Sequence, residues 1–260
     1  MLVAARSRPS PPAAAATGIT RPRTQVAIFL LAYLLYSAAR WLTVGDLHTA
    51  QSHADWIMGL ERHLGVASEA SVQGAMQGTW MLWVLNHMYL AAQLVVVPGA
   101  LVFLYRRSRP IYQRLRNTIL ATWLISIPVY AAFPVAPPRL ADMGVVDTIT
   151  TQTGFAMDSK LTTSFYNELA AVPSLHVGFA VAVGIAVAAA VRHPLAKAVA
   201  LLWGPAVGLA VVATGNHFVF DIAAGVAASG AGYALGLLAL RATERPARAP
   251  ATLRPSFAGA

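Results

Sequence analysis

Val172-Pro173-Ser174-Leu175-His176 and Gly215-Asn216-His217-Phe218-Val219-Phe220-Asp221 are two short stretches separated by two apolar runs that turn at Arg192-His193-Pro194. An out-and-back pair of helices brings both stretches to one end. His217 and Asp221, four apart at the start of a helix, share one face, with Cβ atoms about 5–6 Å apart. A carboxylate beside an imidazole fixes its tautomer and raises its basicity. One ring nitrogen is then available as a nucleophile or as a base. His176 follows Pro-Ser, a pair suited to starting a helix, and a second histidine nearby can protonate a leaving group. Helix N-termini and Arg139 add the positive potential that suits a phosphate.

The elements that must position these groups are membrane helices. The 260 residues are 57% hydrophobic and 11% charged, against about 25% charged in a soluble domain. Apolar runs of membrane-spanning length recur along the chain. They predict an all-α, polytopic bundle of six transmembrane helices over 26–44, 80–105, 118–133, 172–191, 195–213 and 218–240. The first is read as a retained anchor, because a long basic lead-in precedes it. Residues 45–78 carry Trp56, Ile57, Leu60 and Leu64 at helical spacing, which predicts one or two amphipathic helices at the membrane surface. Three units follow: a disordered tail over 1–25, the catalytic bundle over 26–240, and a second disordered tail over 241–260. Residues 45–78 and 134–171 are long enough to lid the site.

Charge orients the bundle. Fifteen of the nineteen lysines and arginines fall on one side of the six spans, and nine of the ten acidic residues fall on the other. The basic side is cytoplasmic, so both termini lie inside and His176, His217, Asp221 and Arg139 face outside. The same pattern accounts for the net charge of +9 without nucleic acid. Trp41, Trp80 and Trp83 suit an outer aromatic belt. The chain has no cysteine, which excludes disulfides and thiolate metal sites.

Each polar residue also has a packing reading. His176 alone can be a packed histidine, His217–Asp221 a structural pair, and Arg139 a headgroup anchor. Three separate stretches that set complementary groups at one face outweigh those readings together. Two histidines and a carboxylate can hold zinc, but no further ligand stands in register, so neither a metal nor a cofactor is expected. His48, His53 and His63 read as rim residues. His87, beside Asn86, either lines the pocket or packs. Gly204/Gly208 and Gly232/Gly236 mark close helix contacts.

Pro173-Ser174-Leu175-His176 and Gly215-Asn216-His217-x-x-x-Asp221 resemble the second and third signature motifs of the type 2 phosphatidic acid phosphatase superfamily. Phe133-Pro134-x-x-Pro137-Pro138-Arg139 resembles the inositol phosphorylceramide synthase-like branch more than the plain lipid phosphate phosphatases. The resemblance covers roughly 80–240. It implies that His217 forms a phosphohistidine, that Asp221 orients it and that His176 protonates the leaving alcohol. Arg139, Ser174 and Asn216 are the implied substrate-binding residues. Two customary cations are missing. The first motif is absent, its one match by letters, Arg109-Pro110, lying on the inner side. Ala210 and Val211 stand where the third motif has Ser-Arg. A phosphomonoester carries nearly two charges and a diester one, so fewer cations suit the diester.

The reading is therefore a plasma-membrane lipid phosphotransferase that moves a phospho-headgroup, such as phosphoinositol, from a phospholipid to a lipid alcohol. Hydrolysis of phosphatidic acid or a polyprenyl phosphate is the alternative, since only the attacking group differs. A transporter using the His-Asp pair as a proton relay, or a scaffold, is the non-enzymatic alternative. No inverted repeat supports a transporter, and no nucleotide-binding loop is present.

Overall fold

The computed structural model describes residues 21–42, 45–157, 159 and 167–244. The two expected disordered tails fall almost wholly outside that range, as does Lys160. The described residues form α1 (Pro22–Leu42), α2 (Leu47–Leu64), α3 (Glu69–Met76), α4 (Trp80–Ala91), α5 (Val97–Arg107), α6 (Arg109–Ala132), α7 (Thr148–Thr153), α8 (Leu175–Ala190), α9 (Pro194–Ala213) and α10 (Val219–Glu244). Ala92–Val96 is a single π turn that joins α4 to α5. Among the described residues Trp80–Arg107, Pro194–Ala213 and Val219–Ala242 are long and apolar enough to cross a membrane, and Leu175–Ala190 is a shorter apolar helix.

The arginine-rich segment 106–117, left between the second and third expected spans, is two abutting helix ends. Only Ser108 interrupts them, in an extended conformation, and α6 starts at Arg109 rather than in the apolar run. Arginine is a good helix former, and Pro110 fits a first turn, where its missing N–H has no partner to lose. Tyr112 and Arg116 on this early part of α6 donate to Gln25 Oε1 of α1 at 2.7 and 3.0 Å.

Residues 45–78 form two helices with sharp ends. Asp46 caps α2 by accepting the Thr49 N–H at 3.0 Å, and Gly65 closes it with φ 71°. The buried stripe is not the one the large apolar residues suggest. Ala50, Ala54, Ile57, Met58 and Glu61 face inward, while Trp56 and Leu64 are exposed. Small alanines let α2 lie close on Val135, Ala136 and Phe218.

α8 is the centre of the bundle. It packs along α9 and α10, and also against α6 and α5. Its buried face includes Val177, Gly178, Phe179, Ala180, Val183 and Gly184. The α8–α10 crossing has almost no side chain in it. A Cβ on Gly178 would lie 2.7 Å from the Gly225 carbonyl oxygen, and one on Gly225 would overlap the Ser174 carbonyl. Only glycine permits that approach. The Ser174 N–H then reaches the Asp221 carbonyl at 3.2 Å, which joins the N-terminal ends of the two helices. Gly204 closes on Val181, Gly208 approaches Ile222, and Gly232 and Gly236 close on α6 at Thr122 and Asn117.

The connection from 134 to 171 wraps over this end. Val135 donates to Leu169 O at 2.8 Å and accepts from Ala171 N–H at 3.3 Å, forming a single parallel bridge with Ala170. Ala136 donates to Ala50 O of α2, and Arg139 N–H donates to Gly215 O.

Candidate active site

The close helix crossing sets His217 just before α10 and Asp221 in its first turn. His217 Nδ1 lies 2.9 Å from Ala171 O and 3.2 Å from Asp221 Oδ2. Both partners are acceptors, so the proton sits on Nδ1 and Nε2 keeps its lone pair. Asp221 Oδ2 also accepts the Phe218 N–H at 2.9 Å. Asp221 is fully buried and His217 nearly so.

His176 occupies the first turn of α8. Its N-cap is Ser174, whose hydroxyl accepts the Val177 N–H at 3.4 Å, and Tyr130 anchors the preceding turn by donating to Pro173 O at 2.9 Å. The His176 ring stacks on Tyr89 of α4, with centroids 4.1 Å apart and planes at 17°. The His176 and His217 ring centroids are 6.0 Å apart.

Arg139 comes from the overlying connection. Its Nε donates to Asn216 Oδ1 at 3.1 Å. Its side chain is 2% exposed, with Asp147 3.8 Å from one terminal nitrogen and Glu168 3.7 Å from the other. Asn216 in turn donates to Thr214 O and Oγ1. The guanidinium is thus fixed one residue from His217 and flanked by two anions. Gly215 makes this possible. It adopts φ 71° at the end of α9, and a Cβ there would stand 2.6 Å from Val145 and 3.4 Å from Arg139 Cβ.

Six sequence-predicted residues therefore gather at one end: His176, His217, Asp221, Arg139, Asn216 and Ser174. Ser174 is fully buried and its hydroxyl is committed to the helix cap. His87 does not join them. It is exposed on α4 with its ring tilted against Trp83, centroids 4.0 Å apart, while Asn86 bonds Thr148 and Gln152. His53 stacks on Phe133 at 4.1 Å and bonds Pro134 O. A cavity of about 450 Å³ lies between α3, α8, α9 and α10, lined by Val177, Val181, Gly208 and Ile222 among others, and neither His176 nor His217 lines it.

Three neighbours escaped sequence reasoning. Tyr89 carries no signal in its surroundings. Glu61 did carry one: it continues the Ala50, Ala54, Ile57 register of α2, where an exposed acidic residue has no place. With Glu69 it reaches the start of α10, where their carboxylates accept the Phe220 and Val219 N–H groups at 2.6 and 2.9 Å.

A sequence model of the PAP2 superfamily matches residues 55–235, more than half of the chain and every residue of this cluster. The chain belongs to the PAP2 superfamily. No curated protein and no solved structure matches it. Membership makes this PAP2 protein a phosphatase- or phosphotransferase-type lipid enzyme, and its apolar helices associate it with a membrane.

Proposed function

We propose that this chain is an integral membrane lipid phosphotransferase that works through a phosphohistidine on His217. The observation that carries the reading is the double anchoring of His217 Nδ1 by Ala171 O and Asp221. It leaves Nε2 with the lone pair, next to a second imidazole.

In the first half-reaction Nε2 attacks the phosphorus of a phospholipid. The P–Nε2 bond forms, the P–O bond to the diacylglycerol breaks, and His176 gives its proton to the departing alkoxide. Asp221 stabilises the positive charge that appears on His217. In the second half-reaction a lipid alcohol attacks the phosphohistidine, returns a proton to His176 and leaves with the phospho-headgroup. Arg139 and Asn216 hold the phosphoryl oxygens, and Ser174 shapes the turn behind them. The charge balance supports a diester such as phosphatidylinositol. Arg139 already faces Asp147 and Glu168, so its charge is largely offset, and the site suits one phosphate charge better than two.

The six spans are α1, α4 with α5, α6, α8, α9 and α10, with α2 and α3 on the outer surface. The cell membrane holds the protein with both termini inside. His176 and His217 sit at the starts of α8 and α10, whereas Arg106, Arg107, Arg192, Lys197 and Arg241 sit at the opposite helix ends. That polarity supports an outward-facing site.

The second reading is a lipid phosphatase, in which water attacks the same phosphohistidine. One experiment separates them. Purified protein in lipid is offered phosphatidylinositol, phosphatidic acid and a polyprenyl phosphate, each with and without a lipid alcohol, and products are read by mass spectrometry. New phosphodiester lipid from the wild type, absent with His217→Ala, is the expected result. Free phosphate alone, again lost in the variant, returns the chain to the phosphatases. Turnover that survives His217→Ala overturns the phosphohistidine.

A further inference from the structure

Three carboxylates cap three consecutive N–H groups behind His217. Asp221 takes Phe218 at 2.9 Å, Glu69 takes Val219 at 2.9 Å, and Glu61 takes Phe220 at 2.6 Å. Asp221 belongs to α10 itself. Glu69 and Glu61 come from α3 and α2, and at 1% exposure each they are as buried as core residues. A buried carboxylate is costly unless every oxygen has a partner or the group is neutral. Glu69 has donors for both oxygens, Val219 N–H and Ser68 N–H. Glu61 does not: among the described residues its Oε2, like Asp221 Oδ1, is buried without a donor, and its carboxyl faces that of Glu69. Two ionised carboxylates face to face repel. A proton on Glu61 Oε2 converts that oxygen into a donor to Glu69 and satisfies both groups.

We propose that Glu61 and Glu69 are positioning residues for His217: sharing one proton, they clamp the first turn of α10 and so hold the His217–Asp221 pair in register. The clamp rests on the reading of His217 as the reacting group only for its purpose, not for its existence. No group of histidines and carboxylates among the described residues has metal-site spacing, so a proton is the partner this pair calls for. The charged groups facing Glu61 are Glu69 from α3 and Asp221 from α10, both acidic. Burial first, then Glu69, push the Glu61 carboxyl up to about 8. A carboxyl raised on folding stabilises the folded protein below its ordinary value near 4.5 and loses that contribution as pH rises through the raised value. Above about pH 8 three anions share one helix turn, and the clamp loosens.

Diethyl pyrocarbonate labelling of His217, followed peptide by peptide by mass spectrometry, tests this without a substrate. The comparison is wild type, Glu61→Gln and Glu61→Ala in detergent between pH 6.5 and 9.5. Glutamine keeps an acceptor for Phe220 and a donor for Glu69 but does not titrate. The ratio of wild-type to Glu61→Gln labelling rates is expected near unity at pH 6.5. It should rise at least about fivefold by pH 9.5, the scale set by losing one buried partner. Glu61→Ala should label fast at every pH. A ratio that stays flat, or Glu61→Ala protein as protected as wild type, overturns the clamp. The pH-dependent ratio requires only Glu61→Gln to fold. Retained turnover in His217→Ala alongside a rising ratio would remove the catalytic reading and leave the clamp standing.

Discussion

At the scale of single residues, Asp221 shares with Ala171 O the task of fixing the proton on His217 Nδ1. It accepts from Nδ1 at 3.2 Å and from the Phe218 N–H at 2.9 Å through the same oxygen. Asn in its place keeps the volume, but its amide group can present a donor where the imidazole needs an acceptor, and it cannot balance an imidazolium. Ala171 O remains as a second anchor for Nδ1, so the ring is not released. Asp221→Asn is therefore expected to fold with its melting temperature within a few degrees of wild type. Its turnover of whichever donor the wild type uses should fall on the order of 10²–10⁴-fold, the scale of a lost carboxylate behind a catalytic or metal-bound histidine. Single-turnover kinetics check it: formation of the phosphoenzyme slows, and donor KM changes little. Wild-type turnover in this variant would reduce Asp221 to a helix cap.

Elements carry the site by how closely they approach. Gly225 sits against the Ser174 carbonyl at the α8–α10 crossing, whereas Gly230, five residues along the same helix, has nothing within 4 Å of where a Cβ would be. Gly225→Ala forces α8 and α10 apart and is expected to cost at least ~1–3 kcal/mol. Because Ser174 and Asp221 are joined across that crossing, turnover should fall with stability. Gly230→Ala should be neutral or stabilising by up to ~1 kcal/mol, since alanine is the better helix former. Denaturant unfolding in detergent measures both, and equal losses in the two variants would refute the crossing argument. The same elements show what was legible in the sequence. Apolar runs and Gly-Pro-Asn punctuation mark α8, α9 and the start of α10, because helix length and caps are local signals. The meeting of His176, His217 and Asp221 follows from two short stretches and one turn. The clamp did not, because the inward stripe of α2 is built from Ala50 and Ala54 while large Trp56 and Leu64 face out. In a helix that leaves such residues exposed, size and hydrophobicity do not point to the core. Tyr89 against His176 depends on how α4 lies on α8, which no local pattern encodes.

For the whole molecule the open variable is orientation, and the chain is unusually suited to a direct reading of it. It contains no cysteine, so one introduced cysteine is the only thiol a reagent can find. Val66 follows α2 on the side of the bundle that bears His217, and it is exposed. His193 lies in the turn between α8 and α9, at the opposite end, and is also exposed. Arginine clusters belong on the cytoplasmic side because charged segments are retained there during insertion. Arg192 and Lys197 flank His193, while residues 45–78 around Val66 hold four acidic residues and one arginine. Val66→Cys is thus expected to react with a membrane-impermeant maleimide on intact cells, and His193→Cys only after the membrane is broken. Neither position touches the His217 cluster, so both variants should keep wild-type turnover, which certifies that the labelled protein is folded. The reverse labelling pattern would put His217 in the cytoplasm. Its lipid donor and acceptor would then have to be drawn from the inner leaflet. The arginines would have to be held outside by something stronger than the insertion rule, and the charge argument for an outward site would fall with them.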